Sequence, residues 1–108
     1  MVMRFILAAS IGVLALSVQA SAQQKLGQPL AERTPEQVYA KVCGYCHGRN
    51  VGPILLGRSL PVDAITMTVR SGRNAMPAFR PTEVTDAELK SLAKWISTSK
   101  ANEKEHGQ

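Results

Sequence analysis

The densest chemistry in the chain lies in Lys41-Val42-Cys43-Gly44-Tyr45-Cys46-His47, where two thiols stand three positions apart and an imidazole follows directly. This is the c-type haem attachment pattern. Cys43 and Cys46, one helical turn apart, can offer both sulfurs on one side to add across two vinyl groups, forming two thioether bonds. His47 can then reach the iron as an axial ligand. Covalent attachment keeps one haem c in a domain too small to enclose it fully. A zinc site would need two further Cys or His ligands, and the only other histidine is His106 in a polar tail. A thioredoxin-like dithiol would sit near a βαβ pattern, and no alternating strand is present. A structural disulfide or another metal site remains as the alternative use of the pair.

A second donor is sought among soft side chains. Met76 stands in Gly72-Arg73-Asn74-Ala75-Met76-Pro77-Ala78-Phe79, a loop between two helical stretches in which Pro77 limits the backbone. A thioether opposite histidine favours reduced iron, raises the potential and leaves no open site. Met76 is therefore the expected second axial ligand, with His106, Met67 or a vacant position as alternatives. Met67, inside a helix, reads as core filler. On the His47 side, the carbonyl of Pro53 is expected to accept the second ring N–H of His47, fixing the ring and making it more electron-donating. The alternative is that Pro53 is only a turn residue.

The elements that position these groups follow from spacing. Thr34, Pro35 and Gln37 form a capped start for a first helix running into the CxxCH segment, with Val38, Tyr39 and Val42 inward. Gly48, Gly52, Pro53 and Gly57 then punctuate an apolar loop expected to lie against the haem face. Pro61 opens a second helix to about Ser71, with Val62, Ile65 and Val69 on one face and Gly72 as its stop. Thr85 and Glu88 form a capping box for the last helix, Val84 and Leu89 a hydrophobic staple, and Leu89, Leu92, Ala93 and Ile96 its inner stripe. Trp95 beside that stripe is expected to pack near Tyr39. Asn102 onward is expected to fray.

Four stretches organise the chain. Residues 1–22 read as a cleaved secretory signal peptide: Arg4, an apolar run over residues 5–18, and Ala20-Ser21-Ala22 as cleavage signal. That run is short for a span of about 20 apolar residues, so no membrane anchor is expected after cleavage. Residues 23–33 form an irregular arm, 34–100 the folded domain and 101–108 the polar tail. Export to the periplasm follows, the compartment where covalent haem attachment is expected. Cleavage removes Arg4 from 13 Lys+Arg and leaves the 8 Asp+Glu, so the formal charge falls from +5 to +4. With no Lys/Arg run and no aromatic interleaving, nucleic-acid binding is disfavoured, whereas an acidic protein partner suits this charge. One Trp, two Tyr and two Phe make a thin core. Folding should therefore depend on haem attachment.

Three helices joined by Gly/Pro loops, with CxxCH at the end of the first and Met76 between the second and the last, resemble the class I cytochrome c family over residues 34–97. The resemblance implies an all-α fold, first and last helices packed together with Tyr39 and Trp95 at their crossing, and His47 and Met76 on opposite haem faces. Pro35 departs from it, standing where that family often has glycine. Tyr39 to His47, Val51-Gly52-Pro53, Leu56-Gly57-Arg58, Leu60-Pro61, Val69-Arg70 and Ala75-Met76-Pro77-Ala78-Phe79 resemble, more narrowly, the cytochrome subunits of p-cresol methylhydroxylase and related 4-alkylphenol or eugenol-oxidising flavocytochromes. The loop between His47 and Val51 is shorter here.

That narrower likeness implies a one-electron acceptor docked on a flavoprotein dehydrogenase subunit, delivering to a copper protein or another cytochrome, with the phenol chemistry in the partner. The chain itself is then not an enzyme. Arg73 and Arg80 flank an apolar loop suited to such docking. A freely diffusing electron carrier is the alternative, and a haem sensor or peroxidase-like enzyme, which needs an exchangeable iron position, a further one.

Overall fold

The computed structural model describes residues 30–107. The signal peptide expected over residues 1–22 and the arm up to residue 29 lie outside the described residues. Three α-helices carry the fold, and no strand occurs among the described residues.

α1 spans Pro35–Lys41. Its start is the expected capping box: the Gln37 amide donates to the Thr34 hydroxyl at 3.3 Å and the Thr34 amide donates to Gln37 Oε1 at 2.9 Å, with Pro35 in the first turn where no amide is needed. The helix stops short of the expected reach. Val42 leaves helical geometry (φ −121°, ψ −61°), and Cys43–Tyr45 forms a separate 3-10 turn. β-branched Val42 and Gly44 are both poor at continuing a helix. A Cβ at Gly44 would stand 3.2 Å from the Tyr39 carbonyl, so glycine permits the tighter winding.

α2 spans Val62–Ser71, with Pro61 extended (ψ 136°) as its N-cap, one position earlier than its expected role as the first helical residue. Ile65 and Val69 are buried, whereas Val62 sits at the exposed rim. Met67 is 67% exposed, which corrects its reading as core filler. At 3.6 residues per turn it points away from the Ile65/Val69 stripe. Gly72 ends α2 with φ +72°. A Cβ there would lie 2.8 Å from the Met76 carbonyl, so only glycine fits this stop.

α3 spans Asp86–Thr98, capped by Thr85 and Glu88 as expected. Val84 and Leu89, the staple pair, are both buried, as are Leu92, Ala93 and Ile96. α3 packs against both α1 and α2. The Tyr39 and Trp95 rings meet across the α1–α3 contact with centroids 5.3 Å apart and planes tilted by 55°, a favourable aromatic geometry.

The segment expected to fray is instead docked. The His106 amide donates to the Gly48 carbonyl at 2.9 Å and the Asn50 amide donates to the His106 carbonyl at 3.0 Å, while Tyr39 Oη donates to Glu105 Oε1 at 2.7 Å. The glycine-rich loop after His47 leaves main-chain groups unpaired at its edge, and the tail supplies their partners.

Candidate functional site

The loop after the 3-10 turn folds back over the His47 ring. The His47 amide donates to the Cys43 carbonyl at 3.0 Å, and the Gly52 amide to the Cys46 carbonyl at 2.9 Å. A Cβ at Gly52 would stand 3.1 Å from His47 Nδ1, so the absence of a side chain lets the loop close on the imidazole. Nδ1 then lies 2.7 Å from the Pro53 carbonyl oxygen. A carbonyl only accepts, so Nδ1 carries the proton and Nε2 of the neutral ring keeps its lone pair for a metal.

Cys43 is half-buried and Cys46 exposed. Burial pushes the Cys43 thiol up to about 11. The Tyr39 phenol, one turn earlier, is driven well above its ordinary range by burial and by its bond to Glu105.

Met76 sits in a loop closed by paired main-chain bonds, the Arg73 amide to the Met76 carbonyl at 3.0 Å and the Met76 amide to the Arg73 carbonyl at 2.9 Å. Its side chain is half-buried against the core, as are those of Val42, Cys43, Leu55, Leu60, Phe79 and Trp95. Met67 is on the surface and His106 is exposed in the docked tail.

Two anchoring groups went unread in the sequence. Arg70 Nη1 donates to the carbonyls of Phe79 and Val84 at 3.1 and 3.0 Å, and Nη2 to Asp86 Oδ1 at 2.6 Å. It thereby ties both ends of the chain that follows Met76. Arg33 donates from its amide and Nε to Glu88 Oε1, both at 2.9 Å, and from Nη2 to Glu88 Oε2 at 2.8 Å. These side-chain bonds hold the Glu88 carboxyl at about 2. Neither has a spacing signal, because each partner comes from a separate segment.

Two thiols, an imidazole with a free Nε2, a thioether and a rim of half-buried apolar side chains suit an iron porphyrin held by thioether bonds. The three-helix architecture and this donor set define a c-type cytochrome. A protein-family profile described as cytochrome C oxidase, cbb3-type, subunit III matches residues 30–96, and the chain belongs to the cytochrome c family. Haem c is the cofactor of this family and of this chain, and one-electron transfer its activity.

Among its relatives, a 4-cresol dehydrogenase [hydroxylating] cytochrome c subunit from Pseudomonas putida is 39% identical over 89 residues, covering 81% of this chain and 74% of that protein. Cytochrome c6 from Cyanidioschyzon merolae is 29% identical over 72 residues, covering 56% of this chain and 67% of that one. Two crystal structures of p-cresol methylhydroxylase match at 43% identity. The substrate-bound one has a TM-score of 0.57 and covers 63% of this chain and 95% of its own. The other, at 2.5 Å resolution, has a TM-score of 0.56 and covers 61% and 93%.

Proposed function

We propose that this chain is the periplasmic electron-accepting subunit of a flavocytochrome that oxidises p-cresol-like 4-alkylphenols. The observation that carries this reading is the 39% identity to a 4-cresol dehydrogenase cytochrome c subunit over 81% of the chain. Phenol oxidation then resides in a flavoprotein partner, and this chain takes electrons singly and passes them to a copper protein or another cytochrome. Residues 1–22 act as the export signal, which delivers the chain to the compartment of that partner.

Haem c supplies a one-electron iron couple when bound. Cys43 and Cys46 would hold it by thioether bonds. His47 offers Nε2 to the iron, and its Nδ1–H bond to Pro53 fixes the ring plane and increases its electron donation. Met76 would offer its sulfur to the iron as the second protein ligand, and a thioether donor there would stabilise the reduced state. Arg73 and Arg80, both exposed, flank the loop and give its apolar centre a basic rim suited to an acidic docking face.

The test is purification from the periplasm at low salt, following haem absorbance. A larger flavin-containing chain co-eluting in constant ratio is the expected result, and the complex should reduce its haem when given a 4-alkylphenol. A small red protein eluting alone overturns the subunit reading in favour of a freely diffusing carrier.

A further inference from the structure

The tail does more than cover the surface. Glu105 to Gly107 crosses the loop that closes on His47 and touches it at three levels. The His106 main chain pairs with Gly48 and Asn50 in a short parallel bridge to Arg49. Gly107 lies against Ile54, so close that a Cβ there would meet its side chain at 2.5 Å. The Glu105 side chain fills the space above Gly48, whose φ is +80° and where a Cβ would come within 2.8 Å of Glu105 Cγ. Gly48, Asn50 and Gly52 belong to the five-residue stretch that carries the chain from His47 to Pro53. Whatever holds the tail therefore holds the acceptor of the His47 ring proton.

The side-chain part of that hold is narrow. Glu105 Oε1 takes the Tyr39 hydroxyl at 2.7 Å, while Oε2 is buried and has no hydrogen-bond partner among the described residues. A buried carboxylate oxygen without a donor favours release into water. One O–H bond from α1 thus holds the carboxylate in place against that tendency.

We propose that Glu105 is a positioning residue for His47: bonded to Tyr39, it locks the tail across the Gly48–Gly52 loop and so sets the His47–Pro53 hydrogen bond. This rests on the assignment of His47 as the axial ligand. Loosening the lock lengthens the hydrogen bond from Nδ1–H to the Pro53 carbonyl, reduces electron donation by the ring and favours the reduced state.

The experiment compares wild-type, Tyr39→Phe and Glu105→Gln haem-loaded proteins. Tyr39→Phe keeps the ring against Trp95 and keeps the Glu105 charge, but removes the donor. It should speed amide exchange at Asn50, Gly52 and His106 by about tenfold through local opening, move the His47 ring-proton resonances and raise the reduction potential. Glu105→Gln retains a carbonyl acceptor for Tyr39 and should keep exchange and ring resonances at wild-type values. Unchanged exchange in Tyr39→Phe overturns the lock. Faster exchange with unmoved ring resonances and potential reduces the tail to a structural cover and overturns the positioning role, as does a Glu105→Gln protein whose tail opens. Ring resonances lacking any iron-ligand signature in the wild type would instead refute the His47 assignment.

Discussion

At the scale of single residues, the site depends on groups that cannot be exchanged for chemically similar ones. Pro53 contributes a carbonyl, which any residue has, whereas Gly52 before it leaves room that a side chain would crowd, since its Cβ would stand 3.1 Å from His47 Nδ1. Met76, the proposed soft donor, sits in a loop that its own main-chain bonds to Arg73 keep closed. Met76→Ala should leave the iron five-coordinate when reduced. Carbon monoxide should then bind at neutral pH and the reduction potential should fall, because the thioether no longer favours the reduced state. A reduced protein inert to carbon monoxide, at unchanged potential, would remove Met76 as a ligand.

At the scale of elements, two arginines join segments that the helices alone leave separate. Arg70 links α2 to the Phe79 and Val84 carbonyls and to Asp86 in the first turn of α3. Arg70→Ala frees two carbonyls and a carboxylate at once, and should cost about 1–3 kcal/mol of stability. It should also weaken the methionine-to-iron absorption band, since Phe79 lies three residues past Met76; loss of stability with that band intact would confine Arg70 to the fold.

Glu88, part of the α3 capping box, is only 5% exposed and is held by Arg33. Its carboxyl is lowered from 4.5 to about 2 in the folded protein, chiefly by the Arg33 side-chain hydrogen bonds. A depressed folded value means that the stabilisation is complete above the unfolded value of about 4.5 and is lost as pH falls towards 2. The difference in melting temperature between wild-type and Glu88→Gln proteins should therefore be largest at about pH 6 and shrink at about pH 2.5. A gap independent of pH would show that packing, not charge, is at issue.

At the scale of the whole molecule, a small domain leaves much of its apolar surface uncovered. Val42, Leu55, Leu60, Met76, Phe79 and Trp95 are only half-buried against the core, and a haem held at Cys43 and Cys46 is the apolar body proposed to complete them. Replacing both Cys43 and Cys46 by alanine should yield little folded protein, and a cooperative thermal transition in that haem-free form would contradict the dependence. The charge of the molecule bears on its partner. Arg73→Glu or Arg80→Glu should weaken binding to the flavoprotein about tenfold while leaving the haem spectrum unchanged, measured by titration of one subunit with the other.

The sequence by itself determined whatever is local. Cys43, Cys46 and His47 are adjacent, so their shared chemistry is a property of spacing. The two capping boxes, the Val84/Leu89 staple and the inner stripe of α3 are likewise written within a few residues, and helix starts were legible for that reason. The Tyr39–Trp95 contact was reached through the resemblance as well as the pattern. Tertiary structure alone decided what joins distant segments. It made Arg33, Arg70 and Glu105 anchors. The polar composition of the tail gave no sign of docking, because its partners, main-chain groups of a loop and the Tyr39 hydroxyl, lie more than fifty positions earlier. Such hydrogen bonds depend on where the backbone passes and leave no pattern in residue type.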